Sequence, residues 1–116
     1  MNNFTLTGKN ISVLSKTGPA AIPELHFPGI LPKATQWLVE KRNIKALRLD
    51  TPSMDYGQSK EFKSYQILLG HDKPGFENLT NLDQLPAKRI YIVALPMKIA
   101  KGSGGPLRII ATFFYE

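Results

Sequence analysis

Two apolar stretches near the C-terminus constrain this chain most. They are Arg89-Ile90-Tyr91-Ile92-Val93-Ala94-Leu95 and Leu107-Arg108-Ile109-Ile110-Ala111-Thr112-Phe113-Phe114-Tyr115. Both are rich in β-branched and aromatic residues, which favour strands. The first is nearly unbroken, the pattern of a central strand buried on both faces. Gly102-Ser103-Gly104-Gly105 between them reads as a flexible loop. It is not a phosphate loop, because no Gly-Lys-Ser/Thr follows.

Upstream, the pattern mixes strand and helix. Ile11-Ser12-Val13-Leu14-Ser15 alternates and reads as a strand, broken by Gly18-Pro19-Ala20-Ala21. His26-Phe27-Pro28-Gly29-Ile30-Leu31 is a loop, and Pro32 suits the first turn of a helix. The spacing predicts a helix over Lys33 to Arg42, with Ala34, Trp37, Leu38 and Lys41 on one face. Asn43 suits a left-handed cap, and Ile44 to Leu49 follows as a strand. Strand, helix and strand in this order resemble one βαβ unit. Phe62 to Leu69 reads as a short helix ended by Gly70, with Phe62, Tyr65, Leu68 and Leu69 buried. A short strand at Phe76-Glu77-Asn78 and a turn through Asn81-Leu82-Asp83 come next. No linker or internal repeat divides residues 1–116, so one α+β domain with α/β-like character is expected.

A chain of 116 residues can bury a core without disulfide or metal staples. It has no cysteine, which removes disulfides, zinc–thiolate sites and cysteine nucleophiles together. No apolar run reaches the ~20 residues that span a bilayer. No basic segment followed by an apolar core opens the chain, so a cytoplasmic location is expected. Three Asn-x-Ser/Thr triplets, at Asn3, Asn10 and Asn78, are chance matches on that expectation. The net charge of +6 is spread along the chain without an aromatic–glycine RNA signature. It reads as a solvated basic surface, and nucleic acid is not an expected partner.

Chemistry-bearing residues are few. His26 and His71 are the two histidines. A catalytic zinc usually takes three protein ligands, so a site would need both and a carboxylate, from different loops. No Gly-x-Ser-x-Gly elbow supports a serine nucleophile. Asp50, Ser53 and Asp55 share one loop at the end of a strand, where α/β sheets place ligands. That loop reads equally as a ligand-contacting turn or as a structural turn with side-chain hydrogen bonds. The chain alone therefore holds too few ligands and nucleophiles for a complete hydrolytic site.

An ordered series of blocks carries a resemblance. His26-Phe27-Pro28-Gly29, Trp37-Leu38-Val39, Asp50-Thr51-Pro52-Ser53-Met54-Asp55 and Ile67-Leu68-Leu69-Gly70 come first. Glu77 to Pro86, Ala94 to Ile99 and Gly102 to Ala111 continue it. Over about residues 11–113 the series resembles the metal-dependent cyclase family, which includes kynurenine formamidase (arylformamidase) and isatin hydrolase. The resemblance implies a swivelling β/β/α fold, here incomplete, with a mixed sheet and two helices. It implies metal-dependent hydrolysis of an amide such as N-formylkynurenine, a step of tryptophan catabolism, with zinc or manganese as cofactor.

The family's main metal motif, His-x-Gly-Thr-His-x-Asp-x-Pro-x-His, has no counterpart here. The chain resembles the C-terminal half alone. His26 matches a histidine of the second metal site, and Gln36 falls where the formamidases carry a glutamate ligand. A neutral amide oxygen is the weaker partner for a divalent cation. The expectation is therefore zinc or manganese in a completed site, or no metal in this chain alone. His26 as a packing residue beside Phe27 and Trp37 is the equal alternative. Asp50, Thr51, Ser53 and Asp55 are the substrate or structural loop. Tyr65 stands where the family often has histidine, and the Gly18–Leu25 loop is short. Half of such a core would expose apolar sheet surface. A homo-oligomer or a complementary chain is the expected partner, with a small-molecule amide as substrate once completed. A non-catalytic assembly module that keeps the fold is the other expectation.

Overall fold

A computed structural model describes residues 5–6 and 18–114. These fall in two compact units, Met1–Asp83 and Gln84–Glu116. The strand expected at Ile11–Ser15 lies outside the described residues.

The first unit holds a three-stranded parallel sheet in the order β1 (Thr5–Leu6), β2 (Leu47–Leu49), β3 (Gly75–Phe76). Helix α1 (Pro32–Lys41) links β1 to β2, and α2 (Lys63–Gly70) links β2 to β3. The unit is therefore two successive βαβ crossovers, which places both helices on one face if each is right-handed. The core agrees: Leu47 and Leu49 of β2 cluster with Leu38 and Val39 of α1 and Leu68 of α2. Ile30, Ile44 and Met54 complete that cluster.

Local chemistry sets the helix ends. Pro32 opens α1, where its missing N–H costs nothing. Asn43 follows with φ 44°, the left-handed residue expected there. Helix α2 ends differently from expectation. Gly70 is only its last residue, and Asp72 takes the left-handed conformation at φ 54°. Asp72 N–H then donates to Leu69 O at 3.0 Å and Lys73 N–H to Leu68 O at 3.2 Å, a Schellman ending.

The buried faces also depart from the expected ones. On α1 the buried residues are Thr35, Leu38 and Val39, while Ala34, Trp37 and Lys41 are exposed. Trp37 instead lies under the Arg42 guanidinium, 5.2 Å from the ring centroid. On α2 Ser64 and Leu68 are buried and Tyr65 is half-buried, whereas Phe62 and Leu69 are about half exposed. The sheet approaches from one side only, so a wide apolar helix surface is only partly used. Strand β2 begins at Leu47 rather than Ile44, and β3 covers Gly75–Phe76 rather than Phe76–Asn78.

In the second unit β4 (Ile90–Pro96) and β5 (Leu107–Phe113) form an antiparallel hairpin. Ile90 pairs with Phe113, and the register runs to Pro96 opposite Leu107. The expectation of a central strand buried on both faces is corrected here. Burial alternates along both strands, and no residue of either is fully buried. Ile90, Ile92 and Ala94 share the half-buried face with Ile109, Ala111 and Phe113. Tyr91, Val93, Leu95 and Ile110 lie on the exposed face. Among the described residues the parallel and antiparallel strands thus form two separate sheets. No helix is long and apolar enough to cross a membrane.

Candidate functional site

The loop after β2 gathers most of the polar side chains singled out in the sequence. His26 to Ile30 runs antiparallel beside it. Ile30 N–H donates to Met54 O at 2.7 Å, and Gly57 N–H donates to Phe27 O at 3.1 Å. The approach is too close for any side chain at position 29. A Cβ there would lie 2.1 Å from the backbone nitrogen of Tyr56. Gly29 is therefore required by proximity.

Asp55 is the centre of this loop. It is 3% exposed. Its Oδ1 accepts from Ser64 N–H at 3.0 Å and its Oδ2 from Tyr65 N–H at 3.1 Å. These are first-turn donors of α2 that no earlier helical carbonyl can reach. Phe62, which precedes the helix, is left-handed and has no side-chain acceptor. Asp55 thus caps α2 from a distance, its negative charge against the positive end of the helix. Ser64 ties the same region together, its Oγ donating to Ile30 O at 2.7 Å.

The remaining loop residues are engaged internally. Thr51, buried, donates through Oγ1 to Ser53 O at 2.8 Å. Ser53 Oγ accepts from Asp55 N–H at 3.2 Å. Glu77 accepts from Met54 N–H at 3.1 Å and from the Tyr65 hydroxyl. Burial and the bond to Glu77 push the Tyr65 hydroxyl up to about 12. Asn78 N–H donates to Thr51 O and Leu79 N–H to Leu49 O, both at 3.0 Å. Asp50 is half-buried and also has an interaction partner. The blocks around His26, Asp50, Ser64 and Glu77 therefore form one hydrogen-bonded frame.

The metal-ligand candidates stand apart from that frame. His26 is exposed. Gln36 is half-buried, and its Nε2 donates to the Glu40 carboxylate one turn along α1. His71 is exposed at the end of α2, with Nδ1 2.7 Å from Ile67 O. Among the described residues no group of three or more His, Cys, Asp or Glu side chains could hold a metal ion. A catalytic zinc needs about three protein ligands. The described residues therefore do not by themselves fit the zinc or manganese of the resemblance.

Sequence reading missed Glu77, Ser64 and Arg48. Glu77 and Ser64 carry no local signal, since their partners lie nine or more residues away. Arg48 had one: a cation flanked on both sides by leucine in an apolar strand.

No protein-family model matches the chain. Individual proteins do. An isatin hydrolase of Roseibium aggregatum is 32% identical over 100 residues, 83% of this chain and 35% of that protein. A kynurenine formamidase of Polaromonas naphthalenivorans is 38% identical over 84 residues, 72% of this chain and 37% of that protein. Isatin hydrolase A from Labrenzia aggregata, solved bound to benzyl benzoate, superposes with a TM-score of 0.71 at 31% identity. That match covers 95% of this chain and 54% of that one. Fold and sequence together define a portion of a hydrolase fold with two parallel crossovers. The chain belongs to the cyclase family, alongside the kynurenine formamidases and isatin hydrolases. It spans about a third to a half of the length of these relatives.

Proposed function

We propose that this chain is one portion of an arylformamidase-like, metal-dependent amide hydrolase. The reaction would be that of the family, N-formylkynurenine to kynurenine plus formate. The observation that carries the reading is the coverage: 72% or more of this chain aligns, against roughly a third to a half of each relative. On this reading the chain is inactive alone, because the metal motif of the family has no counterpart in it. Where residues from elsewhere completed the site, activation of water is the chemistry that zinc or manganese would supply. This chain would supply the frame around Asp55 and, through His26, one ligand, with Gln36 the weaker neighbour. The rest would come from a complementary chain or a second copy in a cytoplasmic assembly.

The test is metal analysis of the purified chain beside a formamidase assay with added zinc or manganese. The expected result is substoichiometric metal and no hydrolysis of N-formylkynurenine above background. Fast, metal-dependent turnover by the isolated chain would refute its incompleteness.

One observation favours a second reading, a non-catalytic assembly module. The hairpin exposes Tyr91, Val93, Leu95, Ile110 and Phe114, each between 47% and 80%. Such an apolar surface usually meets a partner. A monomer at micromolar concentration in light scattering would count against this second reading.

A further inference from the structure

Arg48 is the side chain of the first unit that the core does not explain. Leu47 and Leu49 face α1 and α2. Alternation along β2 therefore turns Arg48 to the opposite face of the parallel sheet. There it is only 6% exposed. Its Nη1 is sealed from solvent and has no hydrogen-bond partner. Burial alone moves its pKa, downward, and no carboxylate acts in the opposite sense. A guanidinium does not shed its proton near neutral pH, so the charge remains. A buried charge without a counterion is among the costliest features a fold can keep.

Among the described residues the chain's carboxylates are engaged elsewhere or exposed, and Glu24 and Asp50 each have an interaction partner too. Asp55 caps α2, and Glu77 binds Met54 and Tyr65. Glu40 holds Gln36, and Glu61 pairs with Lys63. Asp72 and Asp83 are exposed. Arg48 also sits two residues before Asp50, near the C-terminal end of a parallel strand, the edge where α/β sheets bind ligands.

We propose that Arg48 is a receptor for the carboxylate of a small organic acid. The planar guanidinium matches a carboxylate through two parallel N–H···O bonds. Amide hydrolysis releases carboxylic acids, so the site suits a product or an acid-bearing substrate of the proposed reaction. The binding itself does not depend on that reaction, and its failure would leave the hydrolase reading standing.

The experiment titrates the full chain with sodium formate, acetate and benzoate, with chloride and sulfate as controls. The readouts are the Arg48 Nε–H resonance and the unfolding midpoint. The expected result is a saturable shift of that resonance. The midpoint should rise by roughly 11 °C at about 100 times Kd. Arg48→Lys should keep the charge but weaken binding about tenfold or more, since an ammonium cannot form the bidentate pair. Arg48→Met should abolish the response and leave the fold intact or more stable. An equal response to chloride or sulfate would mean an adventitious ion only, and would overturn the proposal. No response to any acid, with Arg48→Met destabilised, would mean an internally hydrated arginine and would also overturn it. A shift that follows protein concentration instead of added acid would assign the carboxylate to a second copy, against a small acid.

Discussion

Replacing Asp55 tests the frame most directly, because both its oxygens are committed to the first turn of α2. Asp55→Ala removes two acceptors at once. Hydrogen bonds to a charged group contribute about 1.5–3 kcal/mol each, and a lost cap costs about 0.5–2 kcal/mol. Ser64 is fully buried, so its N–H would find no water. Tyr65 is half-buried, and its N–H would recover part of its loss by hydration. The expected cost is therefore about 3–4 kcal/mol, below the simple sum, out of a total stability on the order of 5–15 kcal/mol. Asp55→Asn keeps one acceptor oxygen and should cost about half as much. Urea unfolding followed by the fluorescence of Trp37, the single tryptophan, reads this directly. For a slope of about 1.3 kcal/mol/M the Asp55→Ala midpoint falls by roughly 2–3 M. A midpoint within the error of wild type, or equal costs for Asn and Ala, would show that Asp55 does not hold the helix. Its carboxylate would then be open to a ligand-contacting role.

Other substitutions check the remaining parts of the account. Gly29→Ala should lose about 2–4 kcal/mol in denaturant unfolding, because its Cβ meets backbone at 2.1 Å. Gly104→Ala, with nothing within 4 Å of the added carbon, should change stability by less than about 0.5 kcal/mol. Asn43→Gly and Asp72→Gly should each raise the thermal midpoint slightly, and Asn43→Ala should lower it, since both positions are left-handed. Tyr65 contributes a pH dependence whose sign follows from its raised hydroxyl pKa. The protonated form is favoured in the folded state. Its stabilising contribution is full below the unfolded value near 10 and is lost as pH rises towards about 12. Tyr65→Phe should remove that alkaline component from the stability profile, and a profile unchanged by the substitution would refute it.

Much of the local structure was legible in the sequence because it rests on local sterics. Pro32 marked the start of α1, and Asn43 marked its left-handed end. The ordered blocks from His26 to Ala111 pointed to the cyclase family, and the proteins it aligns with bear that out.

The tertiary structure decided what depends on distant neighbours. Which side of α1 is buried could not be read from periodicity, because Trp37 and Ala34 fit an apolar face as well as Val39 does. Only the position of β2 selects between them. The near-continuous apolar run from Ile90 to Leu95 signals a strand, but not how many faces its surroundings cover. Asp50, Ser53 and Asp55 looked alike in one loop. Asp55 alone faces the start of a helix that begins eight residues later, and that placement sets its work. Spacing fixes backbone geometry over a few residues, whereas burial and hydrogen-bond pairing depend on what the rest of the chain brings alongside.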